Sequence, residues 1–280
     1  MIKSYLVNLD RSPERLEHIR EVFAELGVDF TRIPAVDGEQ LSPEDHQRWL
    51  SDKGTPFQLT SGELGCFLSH RRCWEATVAG CESHVAIFED DIHLGKNAAE
   101  ILSRTDWIPA DADIVKLETF LHPTQIGRKP TSMVCGRKIV RLWKTHFGTG
   151  GYIISRAAAS KLISLSRKVS CPVDHFLFDP RFSGFQHLTI YQMSPALCVQ
   201  ELTLNPKEVN PSLKSTLSGD RHILGREISQ TISKRIRREL SRPFENFWRI
   251  VWLSFRGRKR RNINFFYRNM IFEKSDNCLL

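Results

Sequence analysis

The 280-residue chain contains no run of about 18 uncharged apolar residues, the length a membrane-spanning helix needs, so no such helix is expected. Its opening residues, Met1-Ile2-Lys3-Ser4-Tyr5, lack the basic-then-apolar layout of a secretory signal, and the chain is expected to start life in the cytoplasm. The seven cysteines (Cys66, Cys73, Cys81, Cys135, Cys171, Cys198 and Cys278) are odd in number and form no C-x-x-C pair. Neither a disulfide framework nor a zinc site is indicated, and they read as reduced, mostly buried thiols. A phosphate-binding P-loop, an internal repeat and a low-complexity segment are also missing. What is present is globular material: 41% apolar and 10% aromatic side chains can bury one large domain with an extension.

The net charge of +8 is unevenly spread. Residues 221 to 261 hold thirteen Lys and Arg against three Glu, which leaves the rest of the chain close to neutral. A basic protein invites a nucleic-acid reading, but charge confined to one C-terminal segment fits an electrostatic anchor at least as well.

The chain opens with an apolar run, Ser4 to Leu9, that reads as a buried strand. Ser12 is placed to cap a helix with Pro13 at its first position; Leu16, Ile19, Phe23 and Leu26 repeat at helical spacing, and Gly27 supplies the stop. A second strand, Phe30 to Val36, ends at Asp37-Gly38 and completes a parallel β-α-β unit. Thr60 and Glu63 have capping-box spacing at the head of a helix through Leu64, Phe67, Leu68 and Trp74. Strands are expected at Val85–Phe88, Ile114–Leu117, Ile139–Leu142, Tyr152–Ser155 and Leu188–Tyr191, with a helix from about Arg156 to Arg167. His122 to Lys138 reads as a long surface loop. The alternation predicts an α/β fold with a mostly parallel sheet.

Chemistry is most concentrated after His84-Val85-Ala86-Ile87-Phe88, where Glu89-Asp90-Asp91 places three acids at the carboxyl end of a buried strand. Ligands of open α/β sheets bind at that edge. Three adjacent carboxylates repel one another unless a cation sits among them, and Mg²⁺ or Mn²⁺ prefers such oxygen ligands. An ion held there can bridge a diphosphate and neutralise it as it leaves. A solvated turn after a strand explains the same three acids without chemistry.

Several segments then resemble one family together: Asn8-Leu9-Asp10-Arg11-Ser12, Ala35-Val36-Asp37-Gly38, Gly62-Glu63-Leu64-Gly65-Cys66-Phe67-Leu68-Ser69-His70, Phe88-Glu89-Asp90-Asp91, Gly148-Thr149-Gly150-Gly151-Tyr152-Ile153-Ile154-Ser155 and Pro172-Val173-Asp174. In order and spacing they resemble glycosyltransferase family 25, across roughly residues 2 to 205. That family includes bacterial lipooligosaccharide galactosyltransferases and is similar to animal collagen galactosyltransferases. The resemblance implies a GT-A-like, Rossmann-type fold, a UDP-sugar donor, expected to be UDP-galactose, and a lipid-linked oligosaccharide acceptor. It implies a divalent metal, Mn²⁺ or Mg²⁺, with Asp91 and Glu89 as ligands and Asp90 on the donor ribose.

Asn8, Leu9, Arg11, Asp37 and Gly38 lie where a nucleotide could cross the ends of the first two strands, although Asp-Gly also favours tight turns whatever the function. His70, inside the second helix, is either structural or a hydrogen-bonding group facing the donor. Glu63 is explained by its capping box. Gly150 and Gly151, with Gly148, either let backbone approach the sugar or relieve crowding before a strand. An inverting transfer needs one carboxylate to take the acceptor hydroxyl's proton. Asp174 is the candidate, with helix-dipole complementarity as its structural alternative. His175 departs from the family, where an aromatic such as Trp is commoner, and this leaves the acceptor open.

The expected organisation is a catalytic domain over 1–215 and a basic amphipathic helical extension over 216–280. Phe244, Phe247, Trp248, Val251, Trp252 and Phe255 form one helical face between basic clusters. Such a face suits an anionic membrane surface contacted through residues 234–261, on the cytoplasmic side of the inner membrane, or packing against the catalytic domain. A nucleic-acid-binding protein and a non-catalytic glycan-binding scaffold are the readings outside enzyme chemistry; no zinc pattern, recognition helix or RNA-binding aromatic motif supports a specific nucleic acid.

Overall fold

The computed structural model describes residues 1–51, 59–204, 258–267 and 270–272. The N-terminal half runs β1 (Lys3–Asn8), α1 (Pro13–Glu25), β2 (Thr31–Pro34), a 3-10 turn (Gly38–Gln40), α2 (Pro43–Trp49), α3 (Ser61–Ala79), β3 (His84–Glu89), β4 (Ile92–Leu94) and α4 (Ala98–Leu102). It continues through β5 (Ile114–Lys116), β6 (Thr124–Gly127), β7 (Ser132–Val134), β8 (Arg137–Arg141), β9 (Gly151–Ser155), α5 (Arg156–Leu165), α6 (Val173–Phe178) and α7 (Ser183–Gln186). The remainder is β10 (Ile190–Ser194), β11 (Cys198–Gln200), α8 (Glu201–Leu204), β12 (Arg258–Arg261), β13 (Phe265–Tyr267) and β14 (Met270–Phe272).

Eight strands form the central sheet in the order β2-β1-β3-β9-β5-β10-β8-β7. The expected α/β fold with a mostly parallel sheet is present: β1 pairs parallel with β2 and β3, β10 with β5, and only β9 and β8 run against the other six. Side chains alternate between two cores, as the period of a strand requires. Val85 and Ile87 of β3 face the layer of α3, α5 and α6, whereas Ala86 and Phe88 face that of α1 and α4.

The early elements form as their residues dictate. Ser12 precedes α1 without a side-chain cap bond, Pro13 starts the helix, and Gly27 takes φ +64 just beyond it. Thr60 and Glu63 close a full capping box on α3. Two glycines let the Asp37-Gly38 turn lie on the first turn of that helix: a β-carbon on Gly65 would stand 2.7 Å from Gly38 N and Val36 O.

Residues 122 to 138 are not the surface loop expected. They carry β6 and β7, and Ile126 and Val134 are buried. The two-residue turn Cys135-Gly136, both with positive φ, joins β7 to β8 as a tight hairpin, and β6 gains its partner from far along the chain. That partner is β12, from the extension expected to be helical. Ile263 and Phe265 behind it are fully buried, and Ile263 O accepts from Thr119 Oγ1 at 2.6 Å. The aromatic stripe from Phe244 to Phe255 lies outside the described residues.

Gly65→Ala should therefore lower stability by about 1–3 kcal/mol, because the methyl meets backbone that cannot swing away. Urea unfolding tests this, and a midpoint matching that of the parent protein would contradict such close packing.

Candidate active site

The site forms at the carboxyl ends of β1, β2, β3 and β5. An antiparallel strand completes it: since β9 runs against β3, with Phe88 opposite Gly151, its glycine-rich start lies beside the acid triplet rather than at the far edge. One cavity here is lined by Asn8, Leu9, Arg11, Asp37 and Gly38 from the first β-α-β unit, by Glu89, Asp90 and Asp91, and by Asp174 of α6. Arg15, Cys66, Thr149 and Gln200 share its wall. His70, Gly150 and Gly151 do not reach it: all three are buried behind the wall.

Each acid of the triplet has its own surroundings. Asp90 is 5% exposed and has both carboxylate oxygens engaged, Oδ1 by Arg15 Nη1 at 3.0 Å and Oδ2 by Asn8 Nδ2 at 2.7 Å. Burial pushes its pKa up, opposed by Arg15 and Asn8. Asp91 meets Arg15 Nη2 at 3.3 Å and accepts from Gln200 Nε2, also at 3.3 Å. Burial and the neighbouring Glu89 charge raise its pKa to about 7, against the pull of Arg15. Glu89 receives Thr149 Oγ1 at 2.5 Å and Gln200 Nε2 at 2.7 Å, and lies 3.1 Å from His70 Nε2. Burial works to raise its pKa, but His70 foremost, then the Thr149 hydrogen bond and the Arg15 charge, outweigh it and hold the carboxyl below its usual range.

One arginine thus faces three acids. Asp91 is the acid whose charged form is least compensated, and the oxygen ligands of Glu89 and Asp91 on the cavity wall fit a hard divalent cation.

His70 is set from behind. Its Nδ1 is 3.0 Å from the Tyr152 hydroxyl, which also accepts from Trp74 Nε1 at 2.9 Å. Desolvation raises the Tyr152 pKa far above its ordinary value, so the phenol stays protonated. On the other flank Arg11 reaches Asp37 at 3.3 Å and Glu39 at 2.5 Å, while Asp37 caps the 3-10 turn. Asp174, half-buried in the first turn of α6, accepts from the backbone N–H of His175 at 2.8 Å. Phe147, an exposed aromatic, has its ring centroid 4.3 Å from that of His175.

Beneath the glycine segment lies a fully buried ion pair. Lys116 Nζ donates to Glu118 Oε2 at 3.2 Å, to Phe147 O at 2.9 Å and to Gly148 O; Glu118 in turn accepts from Gly150 N–H at 2.9 Å. Burial pushes the Glu118 pKa up, with Lys116 opposing. Gly148 has φ +89, and a β-carbon there would stand 2.2 Å from the Phe120 ring. The pair therefore fixes the loop that presents Thr149 to Glu89.

Arg15, Lys116, Glu118 and Gln200 are site residues that no sequence motif singles out. Arg15 leaves a trace, since it falls in phase with Ile19 and Phe23 on the buried face of α1. Gln200 leaves none, because β11 reaches the site through long-range pairing with β4 and a bridge from Cys198 to Glu118.

The model of glycosyltransferase family 25 (LPS biosynthesis protein) matches residues 1–177, and the chain belongs to this family. It is a glycosyltransferase. The lipooligosaccharide biosynthesis protein lic2B of Haemophilus influenzae is 29% identical over 284 residues, covering 97% of each chain. The lacto-N-neotetraose biosynthesis glycosyltransferases LgtB and LgtE of Neisseria meningitidis serogroup B are 28% and 30% identical, covering 79% and 72% of this chain and 83% and 75% of their own.

Lys116→Met should cost roughly 3–5 kcal/mol, because it leaves a buried carboxylate without its counter-charge. Adding Glu118→Gln should recover part of that loss. Urea unfolding of both variants checks this; a single variant as stable as the parent would show that the pair does not hold the loop.

Proposed function

We propose that the chain is an inverting, metal-dependent hexosyltransferase that moves galactose from UDP-galactose to a lipooligosaccharide or lipopolysaccharide glycan. The observation that carries this reading is that the acid triplet and the separate carboxylate of Asp174 line one cavity at the carboxyl edge of the sheet. Similarity to lic2B, a lipooligosaccharide biosynthesis protein, and to LgtB, a lacto-N-neotetraose biosynthesis glycosyltransferase, supports the acceptor class.

Asn8, Leu9, Arg11, Asp37 and Gly38 form the shelf for the nucleotide. Asp90, already shared by Asn8 and Arg15, keeps lone pairs for a ribose hydroxyl. Glu89 and Asp91 would hold Mn²⁺ or Mg²⁺, whose chemistry is to neutralise the departing diphosphate. Gly150 and Gly151 act through the backbone they set, and His70 acts by positioning Glu89. Asp174 takes the proton of the acceptor hydroxyl as its oxygen bonds to the anomeric carbon on the face opposite the leaving group. The bond from that carbon to the diphosphate oxygen breaks, and its electron pair leaves with UDP. Phe147 on His175 offers the acceptor sugar an apolar face beside this base.

Thermal-shift titration with UDP-sugars, with and without Mn²⁺, tests the reading. UDP-galactose should stabilise the protein only with metal, and Asp91→Asn should abolish the effect. Asp174→Asn should keep donor binding and lose roughly 10²–10⁴-fold in turnover, the usual contribution of a general base. Equal shifts in metal-free buffer, or normal turnover in the Asp174 variant, would remove the corresponding role.

Among the described residues no helix is long and apolar enough to cross a membrane. We place the enzyme peripherally on the cytoplasmic face of the inner membrane, held by residues 234–261, on the strength of the basic clusters and the aromatic stripe between them. Since Ile263 and Phe265 are buried within the domain, substitution tests this better than truncation. Trp248→Glu with Trp252→Glu should release the protein from floating anionic vesicles without altering its activity on a soluble acceptor. Unchanged flotation would place the anchor elsewhere.

A further inference from the structure

We infer that Cys66, His70 and Glu89 form a second metal site, selective for a borderline-soft divalent ion such as Zn²⁺ and separate in chemistry from the hard cation proposed at Glu89 and Asp91. Cys66 and His70 are four residues apart on α3, so both project from one helix face. The end of β3 brings Glu89 against that face. One ligand atom from each residue, a sulfur, a ring nitrogen and a carboxylate oxygen, lies within 4.8 Å of the other two. Ligands on a tetrahedral zinc ion, bound at about 2.0–2.3 Å, stand roughly 3.3–3.8 Å apart, so closure takes side-chain adjustment rather than refolding.

The surroundings have further properties of a metal site. A histidine that ligates through one nitrogen is commonly oriented through the other, and His70 Nδ1 is 3.0 Å from the Tyr152 hydroxyl. The Tyr152 oxygen accepts from Trp74 and retains a lone pair that can accept Nδ1–H, which frees Nε2 for a metal. His70 closes the inner side while Cys66 and Glu89 line the cavity, so a fourth position is open to water or ligand. A thiolate with an imidazole selects zinc over magnesium or manganese. On binding, the Cys66 thiol releases its proton to solvent and its sulfur joins the metal. No C-x-x-C spacing announces the site, because its ligands come from one helix turn and a distant strand.

Glu89 belongs to both sites. Zinc at Cys66 and His70 withdraws a ligand from the donor's cation and so inhibits transfer; this consequence rests on the proposed function, whereas the binding itself does not.

The full-length protein, stripped of metal, is titrated with Co²⁺ followed by absorbance and with Zn²⁺ by calorimetry. Wild type should show a thiolate-to-cobalt charge-transfer band that Zn²⁺ displaces. Cys66→Ser and Cys66→Ala should lose the band and weaken Zn²⁺ binding at least about tenfold, while Asp91→Asn keeps both. In the unaltered protein Zn²⁺, but not Mg²⁺, should block iodoacetamide labelling of Cys66 as mapped by mass spectrometry. A band that persists in both Cys66 variants, or labelling indifferent to Zn²⁺, overturns the site. Loss of Mn²⁺-dependent UDP-sugar binding with zinc binding intact would count against the donor reading alone.

Discussion

Three carboxylates in sequence at the mouth of a buried strand are an electrostatic load that the surrounding fold must balance. Arg15 is the protein's own answer: buried on α1, it bridges Asp90 and Asp91, and Asn8 supplies a further hydrogen bond to Asp90. Glu89 is stabilised differently, by hydrogen-bonding groups from three distant segments. The load is shared unequally, and the acid left under-compensated, Asp91, is on the cavity wall. An added cation would gain most there, so the charge imbalance and the proposed chemistry coincide in one side chain.

The supporting structure is arranged to keep that imbalance in place. Reversal of β9 brings the glycine segment to the triplet, and the Lys116–Glu118 pair pins the segment from below. His70 is fixed between Glu89 and the Tyr152–Trp74 hydrogen bonds, so its part is orientation rather than cavity surface. The close packing of Gly38 against α3 ties the proposed nucleotide shelf to the same helix. These contacts join parts of the chain that are far apart in sequence, and a polar network of this kind rewards complete satisfaction.

Much of this arrangement is legible in the amino-acid sequence, but only where local rules suffice. The first β-α-β unit, the α3 capping box and the strand ending in the acid triplet follow from periodicity and capping, which act over a few residues. Strand direction does not: nothing within Tyr152–Ser155 distinguishes a parallel from an antiparallel neighbour. The stretch after His122 has the composition of a loop because β6 and β7 are short, and β6 pairs with a strand more than a hundred residues away. Among site residues, those in motifs are visible in the sequence and those delivered by long-range pairing, such as Gln200, are not. His70 attracts attention for its chemistry, yet its burial decides its role.

The central contact of the proposed function is between a cation held by Glu89 and Asp91 and the diphosphate of a sugar nucleotide. Pulsed electron paramagnetic resonance on the Mn²⁺-loaded protein measures this directly through ³¹P hyperfine coupling. With UDP added, wild type should show phosphorus coupled to the bound manganese, and Asp91→Asn should not. Manganese bound by the wild-type protein with no phosphorus coupling at saturating UDP would contradict that contact and the transfer chemistry built on it.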